Sequence, residues 1–278
     1  MSKITNKLLI EMDLPSLMRS RNANLPPVPS NWKPGIFADD KPWGTLEDAM
    51  ALLRYRKINE GRELLRRLCK HSSDSAAQAA FSWELMRPPE NDPLSLGHLS
   101  KLSPSSCEFR SLKAVRALMN GEYREGGESY MDATEVRPAS PYGCTLLMTA
   151  FLFFSDVYFQ TRLLMPRKRP METRIVTSPL KGAAGLMVRM HEGAWDTFKK
   201  GWVFAEEKAA SYPETLKVKA TEEERAFIQE TLETMCPMGM ALILWDLGLR
   251  RESAEVFAEL SKVLEGNLQY AAHTLSRT

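Results

Sequence analysis

The chain has 278 residues, 44% hydrophobic and 26% charged, a balance that excludes wholesale disorder and leaves ample material for a core. Thirty-seven Lys and Arg face 35 Asp and Glu, an excess too small to mark a general polyanion binder, so any basic surface must be local. Four cysteines (Cys69, Cys107, Cys144 and Cys236) lie far apart without Cys-x-x-Cys spacing, and read as buried, reduced thiols.

A short helix is expected over residues 3–12. The segment Met1–Arg21 mixes Lys3, Lys7, Arg19 and Arg21 with Glu11 and Asp13, and lacks the apolar core of a secretory signal and the acid-poor character of a transit peptide. From about Leu14 to Trp43 the chain reads as an extended arm, punctuated by Pro26, Pro27, Pro29, Pro34 and Pro42. Its anchors are Trp32, Phe37 and Trp43. Such a segment cannot form its own core, so it must lie across this protein's first hairpins or a neighbouring subunit.

Helices are then expected near 45–57, 59–71, 75–87, 93–102, 105–120, 122–136, 141–165, 179–210, 221–235, 237–247, 250–264 and 267–275. Their starts are marked by Ser or Thr three residues ahead of an acid or Gln (Thr45/Asp48, Ser75/Gln78, Ser105/Glu108, Thr221/Glu224). Capping residues also precede proline at Asp92-Pro93, Ser103-Pro104, Ser140-Pro141 and Ser178-Pro179. Alternating β-branched runs are absent, so no strand is expected.

The most apolar run, Thr145–Met165, holds Asp156, Gln160 and Arg162 and falls short of a membrane span. Its Leu147/Phe151/Phe154/Tyr158 and Met148/Leu152/Ser155/Phe159 stripes make a helix apolar over most of its circumference, either a central core helix or one that lends a face to a partner. The stripe Trp195, Phe198, Trp202 reads as core. Between these helices, Arg162, Arg167, Lys168, Arg169 and Arg174 form a basic loop with Glu172 as its lone acid. The loop suits phosphate groups of RNA, an acidic protein surface or plain solvation; stacking aromatics are not interleaved with it.

No catalytic constellation is legible. His71, His98, His191 and His273 are isolated, and in "HEGAW" (191–195) Trp195 stands where a zinc-binding helix needs its second histidine. There is no Gly-x-Ser-x-Gly, no phosphate loop and no dinucleotide fingerprint. The expectation is therefore a non-enzyme with no cofactor, no metal and no identified small-molecule substrate.

Three segments share one pattern. Gly121, Tyr123, Gly126, Tyr130 and Ala133 fall at steps of 0, 2, 5, 9 and 12; Gly248, Arg250, Ser253, Phe257 and Leu260 repeat them, as do Arg56, Ile58, Gly61, Leu65 and Leu68. A turn residue ends one helix, a small residue admits the partner helix, and a large residue fills the groove. With Ala114 and Ala117, Ala49 and Leu52, and Ala241 and Leu244 in the preceding helices, this resembles the helical hairpins of the tetratricopeptide family and its pentatricopeptide relatives. "LMNGEYREGGESYMDATEVRP" (118–138) is the best match, and the resemblance covers about a third of the chain.

The resemblance implies an all-α fold of stacked antiparallel helix pairs, solenoid-like but irregular because the units lie 65 and 127 residues apart. An irregular helical bundle is the alternative. The expected organisation is an N-terminal helix and arm (1–43), a hairpin region (44–165), the basic loop (166–178) and a C-terminal helical region with a final hairpin (179–278). The expected function is an intracellular, cytoplasmic scaffold or adaptor holding a protein partner as part of a larger assembly. The alternatives are an RNA-associated ribonucleoprotein subunit and a helical enzyme or small-molecule binder without an identifiable site.

Overall fold

Thr45 starts the first long helix: its hydroxyl accepts from the Asp48 N–H at 3.2 Å while the Asp48 carboxylate accepts from the Thr45 N–H at 2.8 Å. This reciprocal cap satisfies two amides that a helix start otherwise leaves unpaired. The computed structural model describes residues 9, 11–20, 25–30, 41–87, 99–163, 178–208 and 222–278, and the elements within them are twelve α-helices with no strand. They are α1 (Leu14–Ser20), α2 (Leu46–Arg54), α3 (Ile58–His71), α4 (Ser75–Met86), α5 (Cys107–Met119), α6 (Tyr123–Thr134), α7 (Pro141–Leu163), α8 (Ser178–Met187), α9 (His191–Lys208), α10 (Glu222–Asp246), α11 (Arg250–Leu260) and α12 (Gly266–Leu275). None is long and apolar enough to cross a membrane.

Several local expectations need correction. Residues 14–20, expected to be extended, form α1, because Pro15 sits in the first turn and Asp13 anchors it through a Leu17 N–H bond to its carbonyl. Helix α4 is capped by Asp74, which accepts from Ala76 N–H at 2.9 Å, while Gln78 turns away to donate to the Cys69 carbonyl. Helix α5 is capped by Ser106 rather than Ser105, and Glu108 accepts from the Ala139 N–H. The pair expected over 221–247 is one helix, α10, with Pro237 inside it. An interior proline costs about 3 kcal/mol. Met235, Cys236, Met238, Met240 and Ala241 around it are all essentially buried, and their packing outweighs that cost. The expected helix 93–102 falls largely outside the described residues, as does most of 3–12.

The single helix expected over 179–210 is in fact a hairpin, α8–α9, and its turn matches three others. Arg56, Gly121, Arg189 and Gly248 all have positive φ, at 59°, 81°, 57° and 75°. In each case that residue's N–H bonds three residues back (Leu53, Leu118, Leu186, Trp245) and the next N–H bonds five back (Leu52, Ala117, Gly185, Leu244). This is the Schellman closure of a helix C-terminus. The residue after the turn then accepts, through its carbonyl, from the N–H of a small residue: Gly61, Gly126, Ala194 or Ser253. The fourth unit carries the same steps as the other three: Arg189, His191, Ala194, Phe198 and Gly201.

The small residue is set by contact. A Cβ on Gly126 would come within 2.6 Å of Leu118 Cγ, and one on Gly61 within 2.7 Å of Leu53 Cγ. Four residues on, Leu65, Tyr130, Phe198 and Phe257 are buried in the groove so formed.

Helix α7 ties the hairpins together. It packs against α4, α5, α6, α8, α10 and α12. Leu147, Met148 and Leu152 enter a core shared with α9, α10, α11 and α12, whereas Leu146, Ala150 and Phe153 enter one shared with α4, α5, α6 and α8. A third cluster joins α2, α3 and α4. Trp195, Phe198 and Trp202 are core residues as expected.

Candidate functional site

Of the residues singled out for binding, Trp43 is described in full. It packs on the α2–α3–α4 cluster together with Leu25 and Val28, and the Arg67 guanidinium lies 4.8 Å over its ring. Arg67 also donates to the Lys41 carbonyl, so this end of the arm is fastened to the chain's own first hairpin. Trp32 and Phe37 lie outside the described residues. So do Arg167, Lys168, Arg169 and Arg174, while Arg162 falls in the last turn of α7.

The structure gathers a network of charges from distant elements. Glu84, near the end of α4, has a side chain 1% exposed. Its carboxylate accepts from Arg189, in the α8–α9 turn, and lies 3.4 Å from Arg87 Nη1. Arg87 reaches Asp246 at 3.7 Å, and His191 Nε2 pairs with the same Asp246 oxygen at 2.7 Å. Arg54 of α2 donates to the Asp246 carbonyl at 3.1 Å and to Glu47 at 2.5 Å. Glu47 also accepts from Arg250 of α11 at 3.4 Å.

Burial alone would raise the Asp246 carboxyl, but the Arg87 guanidinium and the His191 hydrogen bond outweigh it and hold the group far below the ordinary carboxylate range. Burial pushes the Tyr142 phenol well up, and Glu84 adds to the rise, so it remains a protonated donor. The guanidiniums move the other way. Desolvation, then Arg54, lowers Arg250 to about 10, and desolvation, then Arg87, lowers Arg189. Three carboxylates (Glu47, Glu84, Asp246) face four guanidiniums (Arg54, Arg87, Arg189, Arg250), so the cluster carries surplus positive charge.

Beside this network lies a cavity of about 290 Å³ between α2, α4, α7, α10 and α11. Met50, Trp83, Tyr142, Leu146, Leu242 and Trp245 give it apolar walls, with Thr145 and Thr149 on the α7 side. Arg87 lies over the Trp83 ring at 5.3 Å and Arg250 over Trp245 at 3.4 Å. Each of these two cavity-lining guanidiniums keeps one nitrogen without an acceptor: Nε of Arg87 and Nη1 of Arg250.

Burial pushes the thiols of Cys69, Cys107 and Cys144 up to about 12, and that of Cys236 also rises. Such thiols are poor nucleophiles. Among the described residues no cluster of three His, Cys, Asp or Glu could hold a metal ion. No family model, no curated protein and no solved structure matches this chain.

Nothing in the local sequence announced the network, because its members come from six elements. One signal was available. Helix α4, "SAAQAAFSWELM", has apolar residues on every face, so a Glu within it had to be buried and therefore paired.

Proposed function

We propose that the protein is a non-catalytic scaffold or adaptor built from irregular, tetratricopeptide-like helical hairpins, and that it holds a protein partner as part of a larger assembly. The observation that carries this reading is where apolar surface is left uncovered. Of the six large hydrophobic side chains exposed among the described residues, four flank hairpin turns: Met119 and Tyr123 beside Gly121, and Val188 and Met190 beside Arg189. Exposed apolar side chains gathered at particular positions mark contact surfaces, whereas scattered ones carry no message. The recurrence of one turn geometry in four hairpins supports the repeat-like reading, since repeated helix pairs present their tips as a series.

The test is co-purification of the tagged full chain with its partner from cells, comparing the parent with Met119→Glu/Tyr123→Lys and with Val188→Lys/Met190→Glu. All four positions are exposed, so the variants should fold with unchanged far-UV circular dichroism and melting temperature. The expected result is loss of a stoichiometric partner in at least one of them. A monodisperse monomer without a partner, or a partner retained by both, would overturn the assignment.

A further inference from the structure

We propose that the cavity between α2, α4, α7, α10 and α11 is a binding site for an apolar body carrying one carboxylate, the body lying between Trp83 and Trp245 and the carboxylate against Arg250. This goes beyond the partner-holding role, because the site is defined by ligand chemistry and a free acid satisfies it as well as a peptide does.

The size comes first. At about 290 Å³ the cavity sits at the lower edge of the roughly 300–1,000 Å³ range of ligand pockets, room for one medium-length acyl chain or one aromatic side chain. Its walls are aromatic and aliphatic, so an apolar body gains by leaving water.

The charge comes next. Arg250 Nη1 and Arg87 Nε are buried donors without acceptors, and a donor left in that state is costly unless something binds it. A carboxylate offers an acceptor to the free Arg250 nitrogen, and Arg with carboxylate is the pairing whose geometry is best matched. Two resident carboxylates line the same cavity and must be accounted for. Asp246 is already engaged by His191 and Arg87, and its backbone carbonyl by Arg54. Glu47 is 64% exposed, is held by Arg54 at 2.5 Å and reaches Arg250 through one long contact at 3.4 Å, so a ligand carboxylate can take its place on Arg250 while Glu47 stays with Arg54 and water. Neutralising the surplus guanidinium charge then favours the occupied state.

The shared chemistry, an apolar group with a carboxylate, is offered by a free monocarboxylic acid and by the C-terminal residue of a protein. Octanoate and an acetylated tripeptide ending in leucine represent the two sources. Octanamide and the same tripeptide with an amidated C-terminus are their uncharged counterparts. Binding to the full chain is read by titration calorimetry and by the change in total tryptophan fluorescence, to which Trp83 and Trp245 at the cavity contribute. The acids should bind saturably and about tenfold or more tighter than their amides, the ratio expected for one charge-assisted contact.

Arg250→Gln should bring that ratio close to one, whereas Arg250→Lys should keep part of it. Ala76→Leu combined with Thr149→Leu, which fills the cavity from two walls, should remove binding of every probe while the far-UV spectrum is retained. A tighter tripeptide would assign the site to a protein C-terminus, and a tighter octanoate to a free acid; either supports the site. Equal affinity for acid and amide, binding that survives the filled cavity, or no saturable binding of any probe would each overturn it.

Discussion

Arg189 donates to the carboxylate of Glu84 across 105 residues of sequence, joining the turn of the fourth hairpin to the buried end of α4. The contact places a long cationic side chain at a position whose backbone favours glycine, and so couples a strained turn to a buried charge.

Glu84→Gln should be strongly destabilising. The substitution leaves Arg87 and Arg189 in place with half their compensation gone, and breaking a buried ion pair by removing one partner costs about 3–5 kcal/mol. Urea unfolding of the parent and variant should show a lower midpoint at unchanged slope. A cost below about 1 kcal/mol would mean that the network relaxes into solvent.

The turns themselves offer a contrast. Arg56 and Arg189 both hold positive φ, which costs a non-glycine residue about 1–2 kcal/mol. Arg56 is exposed, so Arg56→Gly should stabilise the protein by up to about that amount. Arg189→Gly gains the same relief but leaves the buried Glu84 with Arg87 as its remaining ion-pair partner among the described residues, and should come out destabilised. Thermal melts of the two variants should shift in opposite directions.

Adjacent glycines in α6 separate packing from propensity. Gly126→Ala drives a methyl against Leu118 and should cost about 1–3 kcal/mol. Gly127→Ala meets only the edge of Phe154 at 3.4 Å, and should be neutral or stabilise by up to about 1 kcal/mol through helix propensity. Equal effects at the two positions would contradict the close approach of α5 and α6.

Acid stability should depend on Asp246. Its carboxyl titrates lower in the folded protein than its ordinary 3.8, so the unfolded chain binds the proton first as pH falls. The stability it contributes is complete above the ordinary value and is lost progressively below it. Asp246→Asn should therefore be less stable at neutral pH and show a shallower loss of stability from about pH 5 downward. Parallel profiles for parent and variant would place the acid sensitivity elsewhere.

The helical character was legible in the sequence because caps and apolar spacing are local signals. Thr45/Asp48 and Ser140-Pro141 act where they stand, with the Ser140 hydroxyl accepting from Gly143 N–H. Adjacent capping candidates were not resolved: Asp74 competes with Ser75, and Ser106 with Ser105, on differences of geometry that composition does not carry. The fourth turn was hidden because Arg189 stands where Gly121 and Gly248 stand in other units, so no helix stop was visible between Gly185 and Ala194. Continuity of α10 through Pro237 was hidden for the opposite reason, a local stop overruled by burial. The network and cavity were not legible at all as a site, since Glu47, Glu84, Arg189 and Asp246 meet only once the hairpins have stacked.

Helix α12 returns to pack against α7 and α6 as well as against its neighbour α11. In an open array each unit touches only the next, and units can be added, removed or melted one at a time. Here the last ten-residue helix is bonded to the middle of the chain, as by Asn267 donating to the Thr134 carbonyl across 133 residues. Among the described residues this contact ties the C-terminal hairpin to the centre of the chain, so its loss should be felt well beyond the last unit, and contacts of such long sequence separation should slow folding.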